Sequence, residues 1–590
     1  MRLSFLATAL LGMTAALAAA ATLAHAQAQN EPPQPQAQEA TLEPQLPALP
    51  PAPEAEPAPA EPAAEPEPSP PAAPEAAPAP AEAAPAEAVP APTDATPTPA
   101  GDPASTVPST SAPADPVVAS ITAKLADPAI GNGAHANDVA ALASFYARRQ
   151  GPALWITEMG FSARGHQTLF EIEKAGDWGL DASAFELPPA GALPATAEAQ
   201  ALLEIKLNLA ILKYARFARG GRLTPSAVSS LFDQVPPLRD PNTVLTEIEA
   251  AEAPDAYLRS LHPGHEQFVR LREALLKARG TNEEGTPAGD AKDTKRIIMN
   301  MERWRWMPES LGSVYVLNNA AAFMLYVVKD GKTIFADRTL VGTIGYATPI
   351  FTAPMTTIVF NPEWNAPETV VKENILPPLK RKSYSILKSH RLFVSYNGQP
   401  VDATKVDWNR VNGLAYTFTQ KPGPHNNLGK VKFLYPNRHT VYMHDTLPVR
   451  KKYFKQPVRL IGHECVRMEK PDKFAALLLA ESNGIGEGRI KELWDKSVNS
   501  SVALERKFSV HMVYFTAVAE ESGKVETFAD VYGLDRKLAV ALFGDATGFP
   551  QPPPESKQPP LGEADASTPA ARRTTADNDM ARAMQGFLGE

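Results

Sequence analysis

The sequence predicts an α+β protein: a mainly α-helical N-terminal domain, then a β-rich C-terminal domain, bracketed by segments unsuited to packing. Three observations predict it. Apolar residues recur at helical spacing between about 117 and 280, the period changes to two from Ser313, and nearly half of the 60 prolines crowd between Gln27 and Pro116.

Residues 1–26 read as an export signal. Arg2 precedes an apolar run, Leu3 to Leu23, and Ala24-His25-Ala26 before Gln27 fits the small-x-small rule for cleavage. The alternative is an uncleaved anchor, because the run approaches the roughly 20 residues that span a bilayer. Its Ala, Thr and Ser content favours cleavage, and the lack of a cysteine there excludes a lipid-modified terminus.

Residues 27–116 form a Pro/Ala/Glu-rich linker with 14 acidic residues and no lysine or arginine. Having almost no aromatic or β-branched side chains, it buries too little apolar surface to offset the entropy of ordering, and disorder is expected. The whole-chain charge of −9 therefore misleads. Residues 117–550 carry 52 basic and 46 acidic residues, a surplus of +6, which admits acidic partners. Cys465 is the chain's one cysteine, which excludes an intrachain disulfide and multi-cysteine metal sites.

Residues 117–280 are expected to be a helical scaffold domain. Asn137–Tyr146, Glu198–Tyr214 and His265–Lys277 have the period, and Gly220-Gly221 stops the second. Residues 281–294 read as a linker. From 295 to 550 a β-rich domain is expected, with strands at Val314–Leu317, Phe323–Val328 and Thr356–Phe360, and a turn at Lys329–Lys332. Trp304 and Trp306 read as packing at the domain edge, with a sugar-stacking platform as the alternative. Residues 551–590 return to Pro, Ala and charge and read as a loose tail.

The chemistry concentrates in Val441-Tyr442-Met443-His444-Asp445-Thr446-Leu447-Pro448 and Leu460-Ile461-Gly462-His463-Glu464-Cys465-Val466-Arg467-Met468. A free thiol near its usual pKa of about 8.5 supplies only a few per cent thiolate at neutral pH, and a nearby imidazole corrects that. His444 lies in an alternating run, and Cys465 ends a second apolar one. Adjacent strands about 4.8 Å apart would bring them together. The bland reading of Cys465 is a small buried hydrophobe. A zinc site from His439, His444, His463 and Cys465 is the other candidate, but side chains five apart on a regular strand diverge.

The His444-Asp445-Thr446 and Cys465-Val466-Arg467 motifs resemble the signature of the L,D-transpeptidases, whose catalytic domain is the YkuD type. Asn300-Met301-Glu302-Arg303-Trp304-Arg305-Trp306, Thr348-Pro349-Ile350-Phe351, Asn361-Pro362-Glu363-Trp364, Pro422-Gly423-Pro424 with Asn427-Leu428-Gly429, and the Phe145-Tyr146 to Trp155 stretch with Gly179-Leu180 are similar to its large, multidomain branch. The resemblance spans about 137 to 545. It implies a periplasmic, peptidoglycan-remodelling enzyme, membrane-anchored if the signal stays uncleaved, with no cofactor. Cys465 would attack a tetrapeptide stem, D-alanine would leave, and an amine from another stem or from an outer-membrane protein would resolve the thioester. His444 would be the base, its other ring nitrogen held by a backbone carbonyl. Backbone N–H groups around Glu464 and Cys465 would form the oxyanion hole. His463, Asp445 and Thr446 would orient the site, and Arg467 would orient the loop or substrate, or serve as a structural ion pair. Tyr442, Arg450 and Lys452 are the substrate-binding candidates, and carbapenem-type inhibitors are expected. No nucleic acid is implied.

Two departures stand out. The family usually has glycine where this chain has Glu464, and glycine tolerates positive φ, whereas a glutamate there also disfavours the thiolate. The small peptidoglycan-binding module of large members has no room between 280 and 293. Basic residues Arg450, Lys451, Lys452, Lys455 and Arg459, and Lys380, Arg381, Lys382, Lys388 and Arg391, read either as solvated faces or as attractors of stem carboxylates. A cap is expected over about 366–410. Water as acceptor would make the protein an L,D-carboxypeptidase, and weak activity would leave a peptidoglycan-binding scaffold.

Overall fold

A computed structural model describes residues 115–131, 135–189, 191, 194–281 and 288–552. The expected signal (1–26), the linker over 27–116 except its last two residues, residues 282–287 of the second linker and the tail from 553 lie outside the described residues. All described residues belong to one of the chain's two compact units, Thr106–Glu590. No helix among them is long and apolar enough to cross a membrane.

The N-terminal part is helical: Pro116–Leu125, Ala136–Arg148, Ala163–Glu173, Ala197–Gly220, Pro241–Ala250, Pro254–Ser260 and Glu266–Arg279. Asp115, Ser162, Thr196 and Asp240 cap four of these by accepting from free first-turn N–H groups. The helix Ala197–Gly220 ends where Gly221 takes a φ of 83°. Its buried Glu204 accepts from Tyr146 Oη and Leu154 N, each at 2.6 Å, and Asn208 accepts from Trp155 Nε1 at 3.0 Å. Tyr146 and Trp155 therefore serve this helical core, where burial raises the Glu204 carboxyl above its usual value.

The helix Ala291–Arg305 begins inside the span expected as linker, because Asp290 caps it by accepting from Lys292 N at 2.6 Å. It packs against both parts. Glu302 accepts from Leu223 N at 3.2 Å, Arg305 Nη2 donates to Trp178 O at 2.6 Å, and Arg303 pairs with buried Asp535 at 2.6 Å. Trp304 stacks on Phe515 at 4.5 Å between centroids, and Trp306 meets Phe232 edge-on at 5.1 Å. Both indoles are buried, so they pack.

Eight strands close a barrel, numbered here β1 Val314–Asn319, β2 Met324–Lys329, β3 Lys332–Leu340, β4 Thr352–Phe360, β5 Val431–Leu434, β6 Met443–His444, β7 Val466–Met468 and β8 Ser500–Val513. Their order is β5-β6-β7-β3-β2-β1-β8-β4. The β6–β7 and β1–β8 pairs are parallel and the rest antiparallel. Closure leaves no unpaired edge, and Val316, Met355, Phe433, Met443, Val466 and Met512 fill the interior with no exposed surface. Each such side chain contributes about 1.5–3 kcal/mol.

A cap is inserted between β4 and β5. It is wider than the expected 366–410. Its central strand, Tyr416–Gln420, pairs with both Trp364–Asn365 and Phe393–Tyr396, and its core runs from Trp364 to Leu428. Tyr442, next to β6, packs against that core.

Candidate active site

β6 and β7 assemble the site by period-two geometry. Met443 lies level with Val466 and His444 with Arg467, and Val466 N donates to Tyr442 O at 3.2 Å. Met443 and Val466 point into the core, so Tyr442, His444, Cys465 and Arg467 share the opposite, outer face. A strand spacing of about 4.8 Å and a two-residue rise put the Cys465 and His444 Cβ atoms roughly 8 Å apart, within reach of imidazole and thiol.

Cys465 keeps partial exposure, but desolvation pushes its thiol up to about 11. Hydrogen bonds from the Tyr442 N–H and hydroxyl and the positive Arg467 pull the other way, and Glu464 adds to the rise. His444 is buried, and burial, then Arg467, hold it well below 6.5. Its Nδ1 meets the Asp445 carbonyl at 2.5 Å. A carbonyl only accepts, so Nδ1 carries the proton and Nε2 presents a lone pair. The resting pair is thus neutral thiol and neutral imidazole, an arrangement suited to proton transfer as sulfur attacks.

The neighbouring candidates divide. Asp445 accepts from Lys430 N at 3.0 Å and Thr446 N at 2.7 Å, fastening β6 to the chain entering β5. Thr446 Oγ1 and His463 Nε2 are buried without a hydrogen-bond partner among the described residues. His463 lies against Tyr346 at 4.2 Å between centroids, and the Tyr346 hydroxyl donates to Glu373 on the π-helical turn Val371–Ile375 of the cap. His439 turns away to Asp233 at 2.7 Å. Arg450 is half-buried, and its charge acts on both His444 and Arg467. Lys452 is exposed, 5.4 Å over the Tyr453 ring. Arg459 is structural, donating to Phe323 O at 2.9 Å and Thr339 O at 3.2 Å. Lys380 and Arg381 line a cap groove of about 540 Å³ that shares no residue with the site.

Glu464 is not among the residues with positive φ. The loop's left-handed position is Gly462, at φ 89°, where a Cβ would lie 2.2 Å from Arg467 Nη1. Arg467 packs over that glycine and donates to Ile461 O at 2.7 Å, which orders the loop, and burial lowers its guanidinium to about 10. The turn's demand for glycine is thus met two residues before Glu464. Two contributors escape motif reading: Thr348, whose hydroxyl donates to Glu464 O at 2.8 Å, and Tyr532, which donates to Gly342 O at 2.7 Å. Thr348 lies in a segment that sequence marks only by resemblance.

Residues 313–491 match the family model of the L,D-transpeptidase catalytic domain, YkuD, and residues 140–275 match that of the Scaffold domain. The chain carries a YkuD-type L,D-transpeptidase catalytic domain. A Haemophilus influenzae protein, provisionally named an L,D-transpeptidase, is 30% identical over 249 residues, which is 42% of this chain and 50% of that protein. The chain thus spans about half the length of that curated relative. An L,D-transpeptidase structure from Mycobacterium smegmatis aligns at 11% identity over 34% of this chain and 58% of its own, with a TM-score of 0.17, too low for an argument about fold. Within the L,D-transpeptidase domain, β6 carries His444, the loop entering β7 carries Cys465, and the cap is the insertion between β4 and β5.

Proposed function

We propose that the protein is a peptidoglycan L,D-transpeptidase that works through a Cys465 thioester. The observation that carries this reading is the shared outer face of Tyr442, His444, Cys465 and Arg467, with His444 Nδ1 tied to a carbonyl. Nε2 takes the thiol proton as Sγ bonds to the carbonyl carbon of the third stem residue. Collapse of the tetrahedral adduct breaks the amide to D-alanine, and Nε2 returns the proton to the departing amine. An acceptor amine then attacks the thioester, giving up its proton as the thiol re-forms. The acceptor is another stem or an outer-membrane protein, and the setting is the periplasm, as the Arg2 to Ala26 pattern supports. Cap packing against Tyr442 supports a covered site from which water is held back.

Incubation with a carbapenem followed by intact-mass measurement tests the reading. One adduct is expected, lost in Cys465→Ala, and no adduct on the native protein would sink the thioester. Digestion of treated peptidoglycan separates transfer from hydrolysis: links between third-position residues mark transfer, and shortened stems alone mark an L,D-carboxypeptidase.

A further inference from the structure

Gly342 and Thr348, the buried ends of the loop 342–348, form a strut behind the nucleophile. Thr348 has no exposed surface. Its hydroxyl accepts from Gly342 N at 3.0 Å and meets Glu464 O at 2.8 Å. The Gly342 N–H can only donate, so the single hydroxyl proton goes to the Glu464 carbonyl. Tyr532 braces the same turn: its hydroxyl donates to Gly342 O at 2.7 Å and accepts from Thr348 N at 3.3 Å. The brace continues inward, because Tyr532 N donates to Tyr514 Oη at 2.9 Å and Tyr514 donates to Asp530 at 2.8 Å. Segment 231–233 supports the next step of chain, with Ile350 N donating to Leu231 O and Asp233 N to Ile350 O, each at 2.8 Å.

The carbonyl so held belongs to the peptide unit that ends in Cys465 N–H. No peptide bond here is cis among the described residues, and in a trans unit the C=O and N–H point in opposite directions. A carbonyl clamped inward onto Thr348 therefore turns the Cys465 N–H outward, and among the described residues that N–H has no acceptor. We propose that Thr348 is a positioning residue of the oxyanion site: its hydroxyl fixes the Glu464–Cys465 peptide so that the Cys465 N–H faces the oxygen of the acyl group on Sγ. This rests on the thioester reading above. It also explains why glutamate is tolerated at 464, since the clamp acts on that residue's carbonyl and its side chain stands outside the clamp.

Two reactions of one sulfur test it. Acylation by a carbapenem builds an oxyanion, whereas alkylation by iodoacetamide is a displacement at carbon and builds none. In Thr348→Val, acylation is expected to fall roughly 10–100-fold, less than the roughly 10²–10³-fold of removing an oxyanion donor because the Cys465 N–H stays but is no longer fixed, while alkylation at pH 9 stays within about threefold. Thr348→Ser restores acylation to within about threefold. Tyr532→Phe leaves Thr348 in place but removes its brace, and gives a smaller loss of acylation alone. Unchanged acylation in Thr348→Val and Tyr532→Phe, an equal fall in both reactions, or failure of serine to rescue overturns the proposal while the thioester stands. A native protein that forms no carbapenem adduct overturns both together.

Discussion

The neutral resting state of Cys465 and His444 makes a quantitative prediction about pH. With the thiol pushed up to about 11, the thiolate fraction at pH 7.5 is about 0.03%, against about 10% for an exposed cysteine of pKa near 8.5. Iodoacetamide, which needs thiolate, is expected to react roughly 300-fold more slowly with Cys465 than with an exposed model thiol. Its rate should climb about tenfold per pH unit from 7 to 10. On the proposed mechanism carbapenem acylation is expected to follow a different profile, because His444 would remove the proton during attack. His444 is held well below 6.5 by burial and Arg467, so it is already neutral at neutral pH, and acylation is expected to weaken only as acid protonates it, well below pH 6.5. His444→Ala should cut acylation by about 10²–10⁴-fold and leave the alkylation profile within about threefold. Both rates can be followed by mass spectrometry across pH 5 to 10. An alkylation inflection below about pH 8, abolished in His444→Ala, would show a preformed thiolate–imidazolium pair and refute the reasoning.

Glu464→Gly should keep or raise the carbapenem acylation rate, since the position does not use positive φ and the carboxylate raises the thiol; a tenfold loss would reveal a positive role for the glutamate. Gly462→Ala should lower acylation at least tenfold. The left-handed residue costs about 1–2 kcal/mol, and displacing Arg467 from Ile461 O forfeits a charged hydrogen bond worth about 1.5–3 kcal/mol; native acylation kinetics would contradict this account of the loop. Asp535→Ala leaves Arg303 buried without its carboxylate and should cost about 3–5 kcal/mol, read as a fall in thermal unfolding temperature; an unchanged midpoint would mean Arg303 finds another partner. Tyr346→Phe removes the link between the His463 loop and the cap at Glu373. That exposed bond is worth at most about 1 kcal/mol, so hydrogen exchange over 368–380 should rise by up to about fivefold, and unaltered exchange there would mean the cap is held elsewhere.

The sequence alone determined the order of the parts and singled out a candidate pair for the chemistry. Helical period over 137–146 and 198–214, and alternation from Ser313, are local properties that survive without knowledge of partners, and helix and strand follow there. A single cysteine and a histidine on an alternating run marked the candidate pair. Tertiary structure decided what depends on residues far apart. Barrel closure made the three-residue β7 the parallel neighbour of the two-residue β6, strands too short to announce their partners. It placed the positive φ at Gly462, because only the folded loop shows which of 462–464 turns beneath Arg467. It widened the cap by pairing Tyr416–Gln420 with strands on both sides. It left Lys452 on the surface, separated from the neighbouring Arg450 by the turn of the short 3₁₀ helix Pro448–Lys455 that carries both. Thr348 meets Glu464 across 116 residues of chain, and a hydroxyl's role at that range is written in packing, which no local period carries.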